Sequence, residues 1–510
     1  MSRATITIIA ILLVGVIYRL ALTANGNFLF NMDNARDMVD VREMVVLKKP
    51  RLIGPTSAID GFYNGPFWYY LLAIPFMLSG GNPYASILME IVLWAIGGFF
   101  LLKLVSKWRD FLILPIGAIW VSSNYIALAN QYAFNPNPVT LLAPVFVYFL
   151  VEYLEKGKAT YGILIWVLAG LFFNFEMNAG VFMPSIIVTS MIITKKFKLF
   201  RQKWFWLGLG CFIFLLLPQA IFDFKHQFVM SRSALQHLSE SSDGKFNLLN
   251  RSQVISESFY NTFLPTLLNQ KIFTSIVLLL FIPVIYWFVK AKKKETIIYA
   301  SLVFIFIPFL GYLFLPVTVN PWHLGGEMAV SLVLLAYLFK KLSEKGILGK
   351  VIFAGLAVSA IWFSLFNVGN YFVSDMGKPN SDPSLYKNEI AAIDYVYKYA
   401  KGKNFKVYTF MPSIYDYPYQ YLFWWYGKKT YGYIPADYAY APDKPLYISN
   451  KDKFAGSQSN YDGLVFLIKE PNRGYNWKSG WEASYRFMEL LSSEKLGAID
   501  IEVRREAKKP

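Results

Sequence analysis

Residues 28–44, "FLFNMDNARDMVDVREM", gather Asp33, Arg36, Asp37, Asp40, Arg42 and Glu43 within a few helical turns. Asp33, Asp37 and Asp40 are spaced i, i+4, i+7 and share one face of a helix, while Met38, Val41 and Val45 share another. Carboxylates held in this way can accept a proton or bind a hard cation. A structural role competes with that chemistry. Asp33 or Asn31 caps the helix, and acidic residues favour its N-terminus. A second pair, His323 and Glu327 in "NPWHLGGEMA", opens an apolar run. Ionisable groups are costly there and so point to function, although Trp322 beside them serves equally as an interface anchor.

The elements that must position these groups are membrane spans. The 510 residues are 55% hydrophobic and only 16% charged, well short of the quarter expected of a soluble chain. Apolar runs of spanning length fall near 4–24, 83–105, 111–129, 138–155, 161–174, 179–194, 204–222, 271–290, 295–315, 322–340 and 350–372. The links between them alternate. Lys103, Lys107 and Arg109 cluster in one link, Lys156 and Lys158 in the next of its kind, and the links near 195–203, 290–294 and 340–350 are likewise basic. "NQYAFNPNP", "NFEMN" and "PVTVNP" carry no Lys or Arg. The basic links are therefore cytoplasmic and the others face outward. The formal charge of +17 follows from that bias, so nucleic acid is excluded as the partner. Residues 4–24 read as a retained first span, since no obvious small-residue cleavage site follows them, with a cleaved signal peptide as the alternative. The single cysteine, Cys211, sits in an apolar run and rules out an intramolecular disulfide.

The piece "PFWYYLLAIPFMLSG" (66–80) is short, holds Pro75 and would invert every later charge assignment if counted as a span. It reads as an interfacial or re-entrant helix on the outer face. The short runs 161–174 and 179–194 read as a hairpin with Asn174, Glu176 and Asn178 at its outer bend. The helix that starts near Asp33 reads as lying on the outer membrane surface, apolar side down. Residues 373–510 change composition, becoming rich in Tyr, Lys and Asp. "NEIAAIDYVYKYAKG" has helical periodicity, and "FKVYTF" and "GLVFLI" read as buried strands. The expected architecture is a polytopic α-helical membrane domain over 1–372, with about 11 spans plus outer-face interfacial helices, followed by an extracytoplasmic α/β domain over 373–510.

A first span, an outward "MDNARDMVDVREM" helix and then "FYNGPFWYYLLAIPFMLSGGNP" resemble glycosyltransferase family 39 and its relatives. That group holds the protein mannosyltransferases and the lipid A aminoarabinose transferases, which share the GT-C fold. The layout of the whole membrane part resembles the family, and residues 28–85 carry the specific motifs. The resemblance implies a multi-pass enzyme of the bacterial inner membrane, with its active site and C-terminal domain outside. It would move a sugar from a polyprenyl-phosphate donor to an extracytoplasmic acceptor (lipid, glycan or protein) by inverting displacement. Asp33 matches the family's first-loop acid and is the implied general base. Lys225, His226 and Arg232 in "DFKHQFVMSR", together with His323, are the candidates for the donor phosphate. All three histidines, His237 included, fall in outward segments.

Departures from the family bear on metal use. The first-loop acid is often followed by Glu, whereas Asn34 stands here. Asn135 and Asn137 in "FNPNPV" stand where a second carboxylate is common. Amides are weaker ligands for a hard cation, so Mg²⁺ or Mn²⁺ remains open. Supporting groups or ligands would come from Asn34, Arg36, Asp37, Asn135, Asn137, Glu176 and Glu327. "YDYPYQYLFWWYG" could stack on sugar rings or pack the outer domain. Two rival readings stay open. A transporter or lipid flippase would need ionisable residues deep in several spans, and a sugar-binding receptor would make Asp33 dispensable.

Overall fold

The computed structural model describes residues 2–57, 59–242, 248–267, 279, 282–283, 285–290, 295–315, 317–370, 382–413, 415–442, 447–457, 461–472 and 477–506. The chain forms two compact units. A helical unit comprises residues 1–20, 51–71 and 88–372, and a sheet unit comprises 21–50, 72–87 and 373–510.

Seven helices among the described residues are long and apolar enough to cross a membrane. They are Arg3–Gly26, Tyr84–Ser106, Asn137–Lys156, Lys203–Lys225, Thr296–Phe314, Pro321–Ser343 and Ile347–Phe366. The chain is a multi-pass membrane protein. Asp110–Ser122, Ala159–Phe175 and Met177–Ile193, where further spans were expected, are shorter apolar helices. The run at 111–129 is interrupted at Ser123, whose ψ of 122° separates Ile113–Ser122 from Asn124–Leu128. The piece at 66–80 forms Phe67–Ser79 with Pro75 inside it. At about 1.5 Å per residue that helix is well short of a hydrocarbon core roughly 30 Å thick. The span expected near 271–290 lies mostly outside the described residues.

Asn137–Lys156 and Gly325–Ser343 pack on each other and are buried along nearly their whole lengths, which makes them the centre of the helical unit. Ala159–Phe175 packs on Lys203–Lys225 through small residues. A Cβ on Gly208 would come within 2.8 Å of the Gly162 carbonyl oxygen and 2.6 Å of Trp166. Small residues let membrane helices approach backbone to backbone, where lipid supplies no hydrophobic drive. The loop 51–65 folds back on itself, the Gly54 N–H donating to the Asn64 carbonyl at 2.8 Å. It is tied to the helical hairpin because the Met177 N–H donates to Asn64 Oδ1 at 3.2 Å.

The sheet unit has five strands: β1 (Asn404–Phe410), β2 (Asp437–Ala439), β3 (Tyr461–Lys469), β4 (Glu489–Leu496) and β5 (Ile499–Arg505). Their order is β2-β1-β3-β5-β4, with β1 parallel to β2 and β3, and β5 antiparallel to β3 and β4. β3 is central and buries Leu464 to Ile468 without alternation, as a strand covered on both faces must. The helix Tyr386–Ala400 supplies Ala392, Ile393, Val396 and Tyr397 to the core.

Residues just after the first span are built into this unit. Leu29 bridges Leu385, the Phe30 N–H donates to the Ser384 carbonyl at 2.8 Å, and the Phe28 ring stacks on Tyr386 at 4.7 Å. The helix Met32–Val46 packs on Tyr417–Leu422. Here the structure corrects the surface-lying reading of that helix. Asp37, Arg42 and Glu43 are buried as well as Ala35, Met38 and Val41, so protein covers its charged side too. Those charges are tolerated because they have partners. The Arg42 guanidinium lies 3.9 Å from the Phe454 ring centroid, and Glu43 Oε2 accepts from Asn450 Nδ2 at 2.7 Å.

Candidate active site

Asp33 occupies the first turn of the Met32–Val46 helix. Asn31, not Asp33, is the cap: its Oδ1 accepts from the Asp33 N–H at 3.0 Å. Asn34 donates backwards to the Leu29 carbonyl at 2.7 Å and so fixes the entry of the chain into the helix. Arg36 reaches both acids on its flanks, with Nη1 3.2 Å from Asp33 Oδ1 and Nη2 2.9 Å from Asp37 Oδ1. The two carboxylates differ in exposure. The Asp37 side chain is fully buried, whereas that of Asp33 is 32% exposed. The arrangement leaves Asp33 a fixed, partly solvated carboxylate with no capping duty.

A cavity of about 480 Å³ opens in the sheet unit at this point, lined by Asn31, Met32, Asp33, Ser384, Met411, Pro412, Ser413, Tyr415, Glu470 and Trp477. The turn after β1 supplies Met411, Pro412 and Ser413, and the residue after β3 supplies Glu470. The Glu470 N–H donates to the Phe410 carbonyl at 3.0 Å, which holds the two strand ends together. Glu389, in the first turn of Tyr386–Ala400, is fully buried. Burial first, and then the charges of Glu470 and Asp382, push its carboxyl well above the usual range. Asp416 is likewise pushed up to about 6 by burial, against hydrogen bonds from Tyr447 and Gln420. Tyr415 opens the "YDYPYQYLFWWYG" stretch, whose rings were candidates for sugar stacking, whereas sequence reasoning missed Ser384, Glu470 and Trp477. Their only local mark is polar or aromatic character beside strand ends and turns.

The helical unit holds a second polar group. Glu176 Oε1 accepts from the Asn178 N–H at 3.1 Å and from Asn178 Nδ2 at 2.9 Å. The same Nδ2 stands 3.3 Å from His323 Nε2. The other ring nitrogen of His323 accepts from the Asn320 N–H at 3.3 Å, within a capping box that opens Pro321–Leu324. Tyr312 donates to the Asn178 carbonyl at 3.0 Å. Glu327 is buried in the first turn of the following helix, and its Oε1 has no hydrogen-bond partner among the described residues. The structure thus brings Glu176 and His323 together through Asn178, a residue noted in sequence only as part of a bend.

The remaining candidates are placed otherwise. Lys225 is exposed at the end of Lys203–Lys225. The His226 ring stacks on Phe222 at 4.0 Å with Nδ1 2.8 Å from the Phe222 carbonyl oxygen, and Arg232 donates to the Gln227 carbonyl. Asp223 closes this turn by accepting from the Met230 N–H at 2.7 Å. Among the described residues no hydrogen bond or ion pair links these three cations to His323. Asn135 donates to the Phe175 carbonyl at 2.6 Å, and Asn137 to the Ala129 carbonyl at 3.0 Å. Both amides clamp backbone, as side chains at loop ends often do.

Residues 63–222 match the family model of dolichyl-phosphate-mannose-protein mannosyltransferases. Among solved structures, the chain is similar to ArnT from Cupriavidus metallidurans bound to undecaprenyl phosphate. The TM-score is 0.62 at 11% identity over 98% of this chain and 97% of that one. The same protein in its apo state matches with a TM-score of 0.62 at 10% identity, over 98% of each chain. No curated protein matches the sequence. The chain has the GT-C fold, with membrane helices and a C-terminal sheet.

Proposed function

We propose that this GT-C-fold chain is a membrane glycosyltransferase that takes a sugar from a polyprenyl-phosphate donor and delivers it to an extracytoplasmic hydroxyl. One observation carries the reading. Asp33, relieved of capping by Asn31 and held by Arg36, presents its carboxylate to a cavity large enough for a substrate. The match over residues 63–222 and the ArnT-like fold support the donor class.

Asp33 accepts the proton of the acceptor hydroxyl as its oxygen attacks C1 of the donor sugar. The C1–O bond to phosphate breaks, the phosphate leaves with the electron pair, and the anomeric centre inverts. The leaving phosphate needs no proton, so an acid partner is not required. Arg36 fixes the carboxylate; it does not touch the reacting atoms. The donor phosphate is assigned to groups of the helical unit. His323 is held by Asn178 and Asn320, and Lys225 is the exposed cation of the set. His226 and Arg232 would have to leave their carbonyl contacts to take part.

A divalent cation fits poorly in the Asp33 region. Arg36 already occupies Asp33 and Asp37, and among the described residues no three His, Cys, Asp or Glu side chains could hold a metal. No step is routed through one. We place the chain in the inner membrane, with Asp33 on the outer side. The test is to incubate membranes with a panel of labelled polyprenyl-phosphate sugars and follow transfer by wild type and Asp33→Asn. Absence of transfer from every donor, or full activity in the variant, overturns the reading.

A further inference from the structure

The two ring nitrogens of His323 have different neighbours. The Asn320 backbone N–H can only donate, and it points to Nδ1 at 3.3 Å. Nδ1 therefore keeps its lone pair, and the ring is the neutral tautomer with its hydrogen on Nε2. Asn178 meets that second nitrogen with Nδ2 at 3.3 Å, and an amide nitrogen is itself a donor. The amide is not free to turn its oxygen to the ring. Glu176 Oε1 accepts from Asn178 Nδ2 at 2.9 Å and from the Asn178 N–H at 3.1 Å, and a carboxylate has no hydrogen for an amide oxygen. The Tyr312 hydroxyl braces the same residue by donating to its carbonyl at 3.0 Å. Two N–H groups thus converge, and among the described residues neither the Nε2–H nor the second Nδ2 hydrogen meets an acceptor. Glu176 and His323 are buried and Asn178 is half-buried, so the pair is fixed from within and reached from the Asn178 side.

We propose that His323 and Asn178 form a neutral two-donor clamp for one phosphoryl oxygen of the donor, and that Glu176 is its positioning residue. The clamp rests on the reading of His323 as a donor-phosphate contact and deepens it. Asn178 becomes a second contact, and Glu176 the group that aims it. One anionic oxygen set against both nitrogens accepts both hydrogens. Without Glu176 the amide turns over, its Oδ1 accepts the Nε2–H, and the clamp closes on itself. The charge of Glu176 opposes an anion, so its service is geometric. Gln at 176 offers the same acceptor oxygen without the charge and should serve at least as well. A Glu176 that only caps the turn Met177–Gly180 would leave the His323 ring unaffected.

The chain holds three histidines, so NMR of the full chain in nanodiscs with ¹⁵N-labelled histidine gives three ring signatures, and His323→Gln assigns one of them. The wild-type His323 ring should carry hydrogen on Nε2 alone at neutral pH. Undecaprenyl phosphate should shift that Nε2–H, whereas undecaprenol and inorganic phosphate at the same concentration should not. In Glu176→Leu and Asn178→Leu, donor KM should rise about tenfold or more, the loss of one hydrogen bond to a charged group. Acceptor KM and circular dichroism should stay as in wild type. Glu176→Gln should keep the wild-type ring signature and donor KM. If the leucine variants fail to fold, the wild-type ring and Glu176→Gln still decide. Hydrogen on Nδ1, an equal shift by undecaprenol or inorganic phosphate, or a Glu176→Gln enzyme with a donor KM raised tenfold would overturn the clamp. So would sugar transfer by an enzyme whose His323 ring ignores undecaprenyl phosphate, and the transferase reading would stand. A ring that responds as expected in a protein that transfers no sugar would support the clamp and reject only the transferase reading.

Discussion

The Asn31 side chain caps the helix Met32–Val46, its Oδ1 accepting the Asp33 N–H at 3.0 Å. The helix terminus is satisfied two residues before the first partly exposed acid. Stability and proton acceptance, which one side chain could have shared, are divided between two.

Asp33→Asn should therefore fold as wild type does and lose about a hundred- to ten-thousandfold in transfer rate, the usual cost of removing a general base. Asn31→Ala should show the reverse balance. It loses about 1 kcal/mol of stability and keeps measurable transfer. Initial rates with and without EDTA, beside thermal unfolding, check both. Wild type should keep its rate in EDTA; silencing by EDTA with recovery on Mg²⁺ or Mn²⁺ would show that a metal displaces Arg36.

Arg36 pairs with an Asp37 side chain that is fully buried. Removing one partner of a buried pair costs about 3–5 kcal/mol, because a charge stays behind. Arg36→Gln should be strongly destabilised. Adding Asp37→Asn should restore much of the loss, since the stranded charge goes with it. A double variant no more stable than Arg36→Gln alone would mean that Asp37 has other support of equal weight.

Among the described residues, His323 reaches Glu176 through Asn178. If it meets the donor phosphate, His323→Ala should raise donor KM about ten- to a hundredfold, the equivalent of one charge-assisted hydrogen bond. Acceptor KM should not move. An enzyme with unchanged donor KM and turnover would remove His323 from the donor site.

Glu389 gives the sheet unit a pH dependence. Its folded carboxyl titrates well above 4.5, through burial and then the charges of Glu470 and Asp382. Above about pH 4.5 the unfolded chain sheds this proton while the folded chain keeps it, so the unfolded state gains and stability falls as pH rises. The loss continues until the folded group ionises too. Glu389→Gln removes the linkage and should melt higher than wild type at pH 8, with little difference near pH 4.5. Each kcal/mol corresponds to about 2–4 °C at this domain size. A gap that stays constant with pH would assign the effect to packing.

The sequence by itself determined the parts of this protein that depend on short stretches of chain. Apolar length marks the membrane helices, since crossing lipid requires each segment to satisfy its own backbone. Period 3.6 marked Tyr386–Ala400, and unbroken apolar runs marked β1 and β3. Asp33 stood out as the first acid of a cluster directly after a span, and only the resemblance to the family singled it out as the base. The same local view pointed to Glu176 and His323 one at a time, with nothing to join them.

Only the tertiary structure decided which of these residues share a site. The helix Met32–Val46 belongs to the sheet unit because Leu29 meets Leu385, Arg42 meets Phe454 and Glu43 meets Asn450. Those partners lie hundreds of residues away, and neither end of a pair carries a local signature of the other. The cavity wall is assembled in the same way, from a helix start near Asp33, the turn after β1 and the end of β3. Hydrophobic periodicity reports which face of a segment is buried. It does not report against what, and the chemistry of a buried polar group is set by its partner.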